Sequence, residues 1–491
     1  MLQERSKLPR LWQSVAVGEG YGESWETNWR YVRRHKEDPE GRYGLDSASA
    51  VAFYLVHTGP SSFTTSFING PVCARSRLSI EEIPRLLDLV LYDIPNHNPF
   101  RELIPMAHHQ PMLLQTIIAS SALHMSNACQ CSPRSSSMLT TTASIQNHTS
   151  LPSSLSIGSC VTSRPETFHD ALRAKQQALC LLKSALEDIA SADVDVILAV
   201  MLLLIGFELI DSGRGSWTFH INGARIIIEK LIASTLATET AFSPLRSWLV
   251  SNCLVYDLLG SSFANSDLPH SGWPSTTTMS LLQDAEGNHC SSFPAALLPL
   301  IRAGAQLLKT NEVSSSPDTY LGLQDAFHLL HAAKSFDPAV WAVNLQPRSP
   351  ANDPSHRIEI ASAHRAAVCI YLSRIILALW PTTVLPHDLE TLVAEIIAHL
   401  SNMHPGDALF TATAWPAFIA GLETVDLGNR AWVVRRFQEL WELEPWGLTR
   451  EALGALRTIW GARGNDQLQN QEENWNWIEK LQNIGTDWLI A

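Results

Sequence analysis

The 491 residues carry 48 acidic against 35 basic side chains, and the formal charge of −13 excludes an overall electrostatic attraction for nucleic acid, so contact with DNA needs a local basic patch or a partner. Hydrophobic residues at 45% exclude a disordered chain, and charged residues at 17%, below the usual quarter, imply much helix surface that is buried or covered by a partner. A chain of this length buries one large core or two to three smaller ones.

Residues 1–78 read as an irregular segment, with "GEGYGES" and "HTGPSS" as turns. The start, "MLQERSKLPRLWQS", has charges but no apolar core, so no secretory signal is expected. Gly18, Gly20 and Gly22 follow no strand and lack the third spacing of a dinucleotide loop. The basic run Arg30, Arg33, Arg34 and Lys36 either touches phosphate, serves as a localisation signal, or is a solvated polar face. Helical periodicity takes over in "LSIEEIPRLLDLVLYD", where Ser79 and Glu82 have capping-box spacing and Pro84 falls near the first turn. Two further helices follow in 98–128, the second beginning near Pro111.

From Ser126 to Pro165 the chain is rich in Ser and Thr without a sustained apolar period, and is expected to be a disordered insertion between two helices. Cys129 and Cys131 lie at its edge, either as solvent-exposed loop thiols or as a pair able to bind a soft metal or oxidise. The eight cysteines, at 73, 129, 131, 160, 180, 253, 290 and 369, are scattered, which fits a reducing intracellular compartment. Cys180, Cys253 and Cys369 fall in apolar helical contexts where buried thiols are common.

Helices are predicted near 166–190, 193–211, 216–234, 243–264, 293–310, 319–334, 355–380 and 386–403, with a last group over 408–464. In the first of these Ala171, Ala174, Ala178, Leu182, Ala185 and Ile189 share one face. The run Val196–Phe207 is apolar all round but, at about 1.5 Å rise per residue, roughly 18 Å long, too short for a hydrocarbon core of about 30 Å. Acidic residues flank it instead of Lys/Arg anchors, so no membrane span is expected and it reads as a helix at the centre of the core. "DSGRG" ends it, with Gly213 or Gly215 available for a left-handed cap, and a second helix from Trp217 completes a hairpin. No alternating strand is found. The expected class is all-α, a large domain of stacked antiparallel helices.

Enzyme signatures are poor: there is neither a phosphate loop nor a nucleophile elbow. His328 and His331 share a helical face but have no third ligand at a recognisable spacing, and the adjacent His108 and His109 cannot face one site from a regular helix. Asp193, Asp195, Glu81 and Glu82 read as first-turn acids favoured by the helix dipole. Trp415, Trp432, Trp441, Trp446, Trp460, Trp475, Trp477 and Trp488 crowd the last fifth of the chain. Most are expected to pack helices together, while those in the tail 465–491 dock a partner or the protein's own groove.

Several stretches coincide with a known family. "NPFRELIPMAHHQPMLLQTIIASSALHMSN" (98–127), "DVDVILAVMLLLIGFELIDSGRGSWTFHINGARIII" (193–228), "LRSWLVSNCLVYDLLGSSF" (245–263), "TAWPAFIAGLETVDLGNRAWVVRRFQEL" (413–440) and "ALGALRTIW" (452–460) follow that family's order over roughly 79–464. The chain resembles the fungal-specific transcription factor domain, the helical regulatory region found C-terminal to a six-cysteine binuclear zinc cluster. More narrowly, it is similar to the arginine/lysine-metabolism-regulator-like branch. The resemblance implies a nuclear regulator of metabolic or secondary-metabolite gene clusters. Such a protein would act through protein partners or a dimer mate, and through a small effector bound between helices; with no metal or cofactor motif in the sequence, no cofactor or metal is expected. The family's cluster needs Cys-x2-Cys-x6-Cys twice, whereas no Cys-x2-Cys pair occurs and residues 1–78 hold only Cys73. Either the regulator lacks the cluster and reaches DNA indirectly, or the start of this chain lies downstream of it. The other readings are an all-α biosynthetic enzyme, with His220, His328 and His331 as first suspects, and a cluster-less competitor of a related regulator.

Overall fold

The computed structural model describes residues 90–94, 98, 100–131, 164–189, 191–238, 241–264, 275–313, 319–468, 475–485 and 487–491. Sixteen α-helices run through these residues without a strand, and the extended pairings among them are two isolated bridges, Val90 with His289 and Arg214 with Trp488. Short polar side chains set many of the helix starts. Asp193, Ser243, Asp337, Asp388, Asp426 and Asn476 each accept a hydrogen bond from a backbone N–H in the following turn. Pro244 and Pro338 stand just after two of these caps, where no N–H is needed.

The first half is built around α4 (Val194–Asp211). Every residue from Val196 to Ile210 is buried, so neighbours must cover all sides of it. They are α2 (Pro111–Cys131), α3 (Arg164–Glu187), α5 (Trp217–Thr238), α6 (Pro244–Gly260) and, from far along the chain, α15 (Gly447–Leu468). The short α1 (Phe100–Ala107) lies against α2, which packs along α3 through the Ala171, Ala174, Ala178 and Leu182 stripe. One carboxylate lies inside this apolar rod. Glu208 receives Lys175 at 2.6 Å, with His220 Nε2 3.5 Å away and the Lys175 ammonium 4.3 Å from the Phe207 ring centroid. Burial pushes the Glu208 carboxyl up, but Lys175 and His220 outweigh it and bring it down to about 2.

The second half gathers around α11 (Pro354–Leu379), buried from Ile360 to Ile376 except at Arg365. Its neighbours are α8 (Leu298–Val313), α9 (Thr319–Ser335), α10 (Pro338–Leu345), α12 (Leu389–Ser401), α13 (Ala414–Glu423) and α16 (Trp477–Asn483). Among the described residues α11 alone is long and apolar enough to cross a membrane, and 89% of its apolar window is buried inside the protein. The remaining helices, α7 (Ser275–Ala285) against α6 and α14 (Leu427–Leu443) against α13 and α15, complete the stack. A buried ion triad, Arg225–Asp257–Arg302, ties α5, α6 and α8 together.

Four expectations need correction. The helix foreseen through Asp93 is not helical over residues 90–94, and its earlier part lies outside the described residues. Leu91 N donates to Asn288 O, and Tyr92 exchanges hydrogen bonds with the Asn288 side chain, so the chain is drawn flat against a distant loop. Residues 126–131, expected to open the insertion, instead belong to α2, with Ser126 and Asn127 buried, and the rest of that stretch up to 163 lies outside the described residues. Asn127 donates to Ile210 O of α4 at 2.8 Å, which holds that last turn. The helices α7 and α10 were not foreseen. Cys180 is exposed on α3, whereas Cys253 and Cys369 are buried and their thiols pushed up to about 12 by burial.

Glycines mark where helices touch backbone to ring. A Cβ on Gly260 would sit 2.2 Å from the ring of fully buried Trp217, so Gly260→Ala is expected to destabilise by about 1–3 kcal/mol or more. Gly454, exposed within α15, has nothing within 4 Å, and Gly454→Ala should instead stabilise by about 0.5–1 kcal/mol. Urea denaturation midpoints of the two variants should move in opposite directions. Equal shifts would contradict the packing described.

Candidate functional site

The turn "DSGRG" does more than end a helix. Gly213 and Gly215 both take left-handed φ, 68° and 72°, and Gly213 N donates back to Glu208 O at 2.7 Å, leaving Gly213 O and Gly215 N for other partners. The segment 487–489 uses them. Leu489 N donates to Gly213 O at 2.8 Å, and Gly215 N donates to Asp487 O at 2.9 Å. Trp217 Nε1 reaches the same Asp487 carbonyl at 3.3 Å, and the Arg214 guanidinium lies 4.9 Å from the Trp488 ring centroid. A Cβ on Gly213 would lie 2.8 Å from Leu489 O, so glycine is needed both for its φ and for close approach. Trp488, Leu489 and Ile490 are buried by this docking.

A second clasp holds the segment 475–478. Arg374 of α11 grips Glu423 of α13 with two N–H groups, one of them Nε at 2.7 Å from Oε2. Trp477 Nε1 donates to the same carboxylate at 2.9 Å. Arg374 also donates to Trp475 O at 2.8 Å, and Asn476 Nδ2 returns a bond to Arg374 O at 2.9 Å. Trp477 is fully buried. The tail therefore docks onto the protein's own helices.

Between the two clasps lies a shallow, solvent-open cleft. The end of α6 and the residues after it, the face of α8, Tyr371 of α11 and the clasped helix α16 form its walls. Trp477, Leu481, Leu308 and Ala305 make its apolar lining, and Lys309 its charged one. The hydroxyls of Ser261 and Ser262, also at the cleft, donate to Leu258 O and Leu259 O and so cover the open acceptors of the helix end. Tyr371 Oη is buried and has no hydrogen-bond partner in the protein. Burial raises the Tyr371 hydroxyl above its ordinary range, so it is protonated and available as a donor.

The residues singled out from sequence fall elsewhere. Arg30, Arg33, Arg34 and Lys36, the glycines at 18–22 and Cys73 lie outside the described residues. His328 and His331 are exposed on α9, and no group of three metal-ligating side chains occurs among the described residues. His108 and His109 are exposed, with ring centroids 6.4 Å apart. His220 sits in the core beside Glu208, and burial lowers its pKa despite that neighbour. Asp193 caps α4, and Asp195 pairs with Arg246 at 2.6 Å. Cys129 is exposed, but on the last turn of α2 rather than in a loop. The tryptophans from 415 onward are buried or half-buried, as helix-packing residues should be. Arg374, Glu423 and Tyr371 were missed because nothing local marks them: their partners are 49 to 102 residues away or absent.

A family model described as "Fungal specific transcription factor domain" matches residues 87–491. The chain is 31% identical over 418 residues to "Acriflavine sensitivity control protein acr-2" of Neurospora crassa, an alignment covering 82% of this chain and 65% of that protein. The chain thus spans less than two thirds of the length of this curated relative. No solved structure gives a significant match.

Proposed function

The chain belongs to the fungal specific transcription factor domain family, and from that premise we propose that it regulates transcription. In this reading the helical body is a regulatory module that acts through protein partners or a second copy. DNA is reached indirectly or through a module beyond this stretch, since the net charge of −13 supplies no general attraction. The target set is a group of metabolic or secondary-metabolite genes, and the site of action is the nucleus. The observation that carries this is the family match over the whole helical body, 87–491. The internal use of charge supports it. Glu208, Asp257 and Glu423 are all engaged in buried ion pairs that hold helices together.

Transcript profiling of a deletion strain tests the reading. A defined set of transcripts should change, and full-length protein tethered to a heterologous DNA-binding module should move a reporter. An unchanged transcriptome across metabolic conditions, with a silent reporter, would sink it. Because the relative is named for control of acriflavine sensitivity, growth of the deletion strain on acriflavine is a second readout. We also propose the basic run as the entry signal. Replacing Arg30, Arg33, Arg34 and Lys36 by alanine should spread a fluorescent fusion into the cytoplasm, and retained nuclear signal would refute that role.

A further inference from the structure

His387 joins the loop between α11 and α12 to two helices. Its Nε2 lies 3.1 Å from the hydroxyl of Ser373, a fully buried residue of α11. Its Nδ1 lies 3.4 Å from the ammonium of Lys334, in the last turn of α9. An ammonium has only donors, so Nδ1 accepts and carries no proton. The proton of the neutral ring is then on Nε2, which donates to Ser373 Oγ. A second proton, taken from solvent, has only Nδ1 to go to, and there it sets donor against donor and cation against cation. Lys334 and Asp388 are the charged groups that face the ring. Asp388 gives little relief, because its carboxylate caps α12, accepting from Thr391 N at 2.8 Å and Thr391 Oγ1 at 2.9 Å. Partial burial and the Lys334 charge hold the His387 pKa below its ordinary value, against the pull of Asp388.

The same loop meets α9 a second time. The Trp380 ring rests on Gly322, where a Cβ would lie 3.3 Å from its Cζ2. Trp380 and Leu385 are half-buried against the core, whereas Val384 between them is 87% exposed. Trp380 Nε1 is buried without a hydrogen-bond partner in the protein, so it gains one from water when the loop lifts.

We propose that the His387 bridge is a proton-operated catch: the neutral imidazole ties residues 381–387 to α9 and α11, and the imidazolium, repelled by Lys334, lets the loop lift and bares Leu385 and Trp380 beside Val384. The folded pKa is the depressed one, so the catch holds at neutral pH and releases as pH falls below about 6.5. No part of this rests on the regulatory reading.

Hydrogen–deuterium exchange of the full purified chain at pH 7.5 and 5.5, corrected for intrinsic rates, reads the catch at residues 382–388. Buried α13 is the control for global opening. In the parent, protection of the loop is expected to fall about threefold or more in acid while α13 stays protected. Lys334→Gln keeps a donor for Nδ1, and its amide oxygen accepts from Nδ1 once the ring is charged. In that variant the loop should stay protected at both pH values, and the His387 titration midpoint read by NMR should rise. His387→Gln should make the loop equally insensitive to pH. Unchanged loop protection in the parent, an acid response that survives in Lys334→Gln, or an unmoved His387 midpoint there would overturn the proposal. So would a parent in which loop and α13 lose protection together, since the opening would then be global.

Discussion

Arg374→Ala is expected to destabilise the protein by about 3–5 kcal/mol, because it strands a buried carboxylate at Glu423. The loss has a second part. Arg374 is also the donor to Trp475 O, and Glu423 the acceptor for Trp477 Nε1, so the tail loses its hold on α11 and α13 together. Two measurements check this. The urea midpoint should fall sharply, and limited proteolysis should cut in the region 470–491 well before the helical body. The double change Arg374→Ala with Glu423→Ala should cost less than the sum of the single changes, since it removes both charges. A shift below about 1 kcal/mol, or strict additivity, would mean that the pair is solvated and does not hold the tail.

The second large effect is a loss of stability in mild acid. His289 and His364 are buried, and burial alone holds each pKa down at about 3. His289 Nδ1 accepts from Ser291 N at 3.1 Å, with the Ser291 hydroxyl 2.9 Å away, and Tyr256 stands edge-on to its ring. The His364 ring has its centroid 4.1 Å from that of Phe293 and 6.3 Å from that of Trp415, with neither nitrogen bonded to the protein. In the unfolded chain both titrate near the ordinary value of about 6.5. The folded pKa is depressed, so the unfolded state binds more protons between about 6.5 and 3, and stability falls as pH drops through that window. The slope approaches about 1.4 kcal/mol per pH unit for each histidine below pH 6.5, so the pair removes about 3 kcal/mol between pH 6.5 and 5. Half-buried His124, at about 4, adds to the same slope. His364→Phe should flatten the dependence by one proton and cost little at pH 7, since two unsatisfied nitrogens leave with it. Denaturation curves at pH 7, 6 and 5 decide the matter, and an unchanged slope in His364→Phe would show that this ring titrates normally in the fold.

How much was legible depended on whether the cause was local. The α4 core helix and its glycine turn were readable because an apolar run longer than three turns, flanked by acids and followed by glycines, has few other ways to fold. The Ala171 to Leu182 stripe was readable from its spacing alone. The helix α7, "STTTMSLLQDA", was missed because its first turn is built of Ser and Thr, which favour other conformations in isolation. The helix α10, "PAVWAVNL", was missed through its β-branched content and shortness, although Asp337 and Pro338 announced its start. The cleft was illegible in principle. Its walls come from residues near 261, 305, 371 and 477, and neither motif nor periodicity links them. The same holds for Tyr92, whose hydroxyl donates to Asp353 across 261 positions.

The docking of residues 487–489 on the Gly213–Gly215 turn also governs how the protein is made. Trp217 and its carbonyl partner are separated by 270 positions. At 5–20 residues per second, the ribosome leaves the turn of this hairpin without its cover for on the order of tens of seconds. During that interval Gly213 O and Gly215 N lack their partners, and a nonsense codon as late as residue 480 leaves them so for good. Late truncations should therefore lower the amount of protein in the cell as severely as early ones.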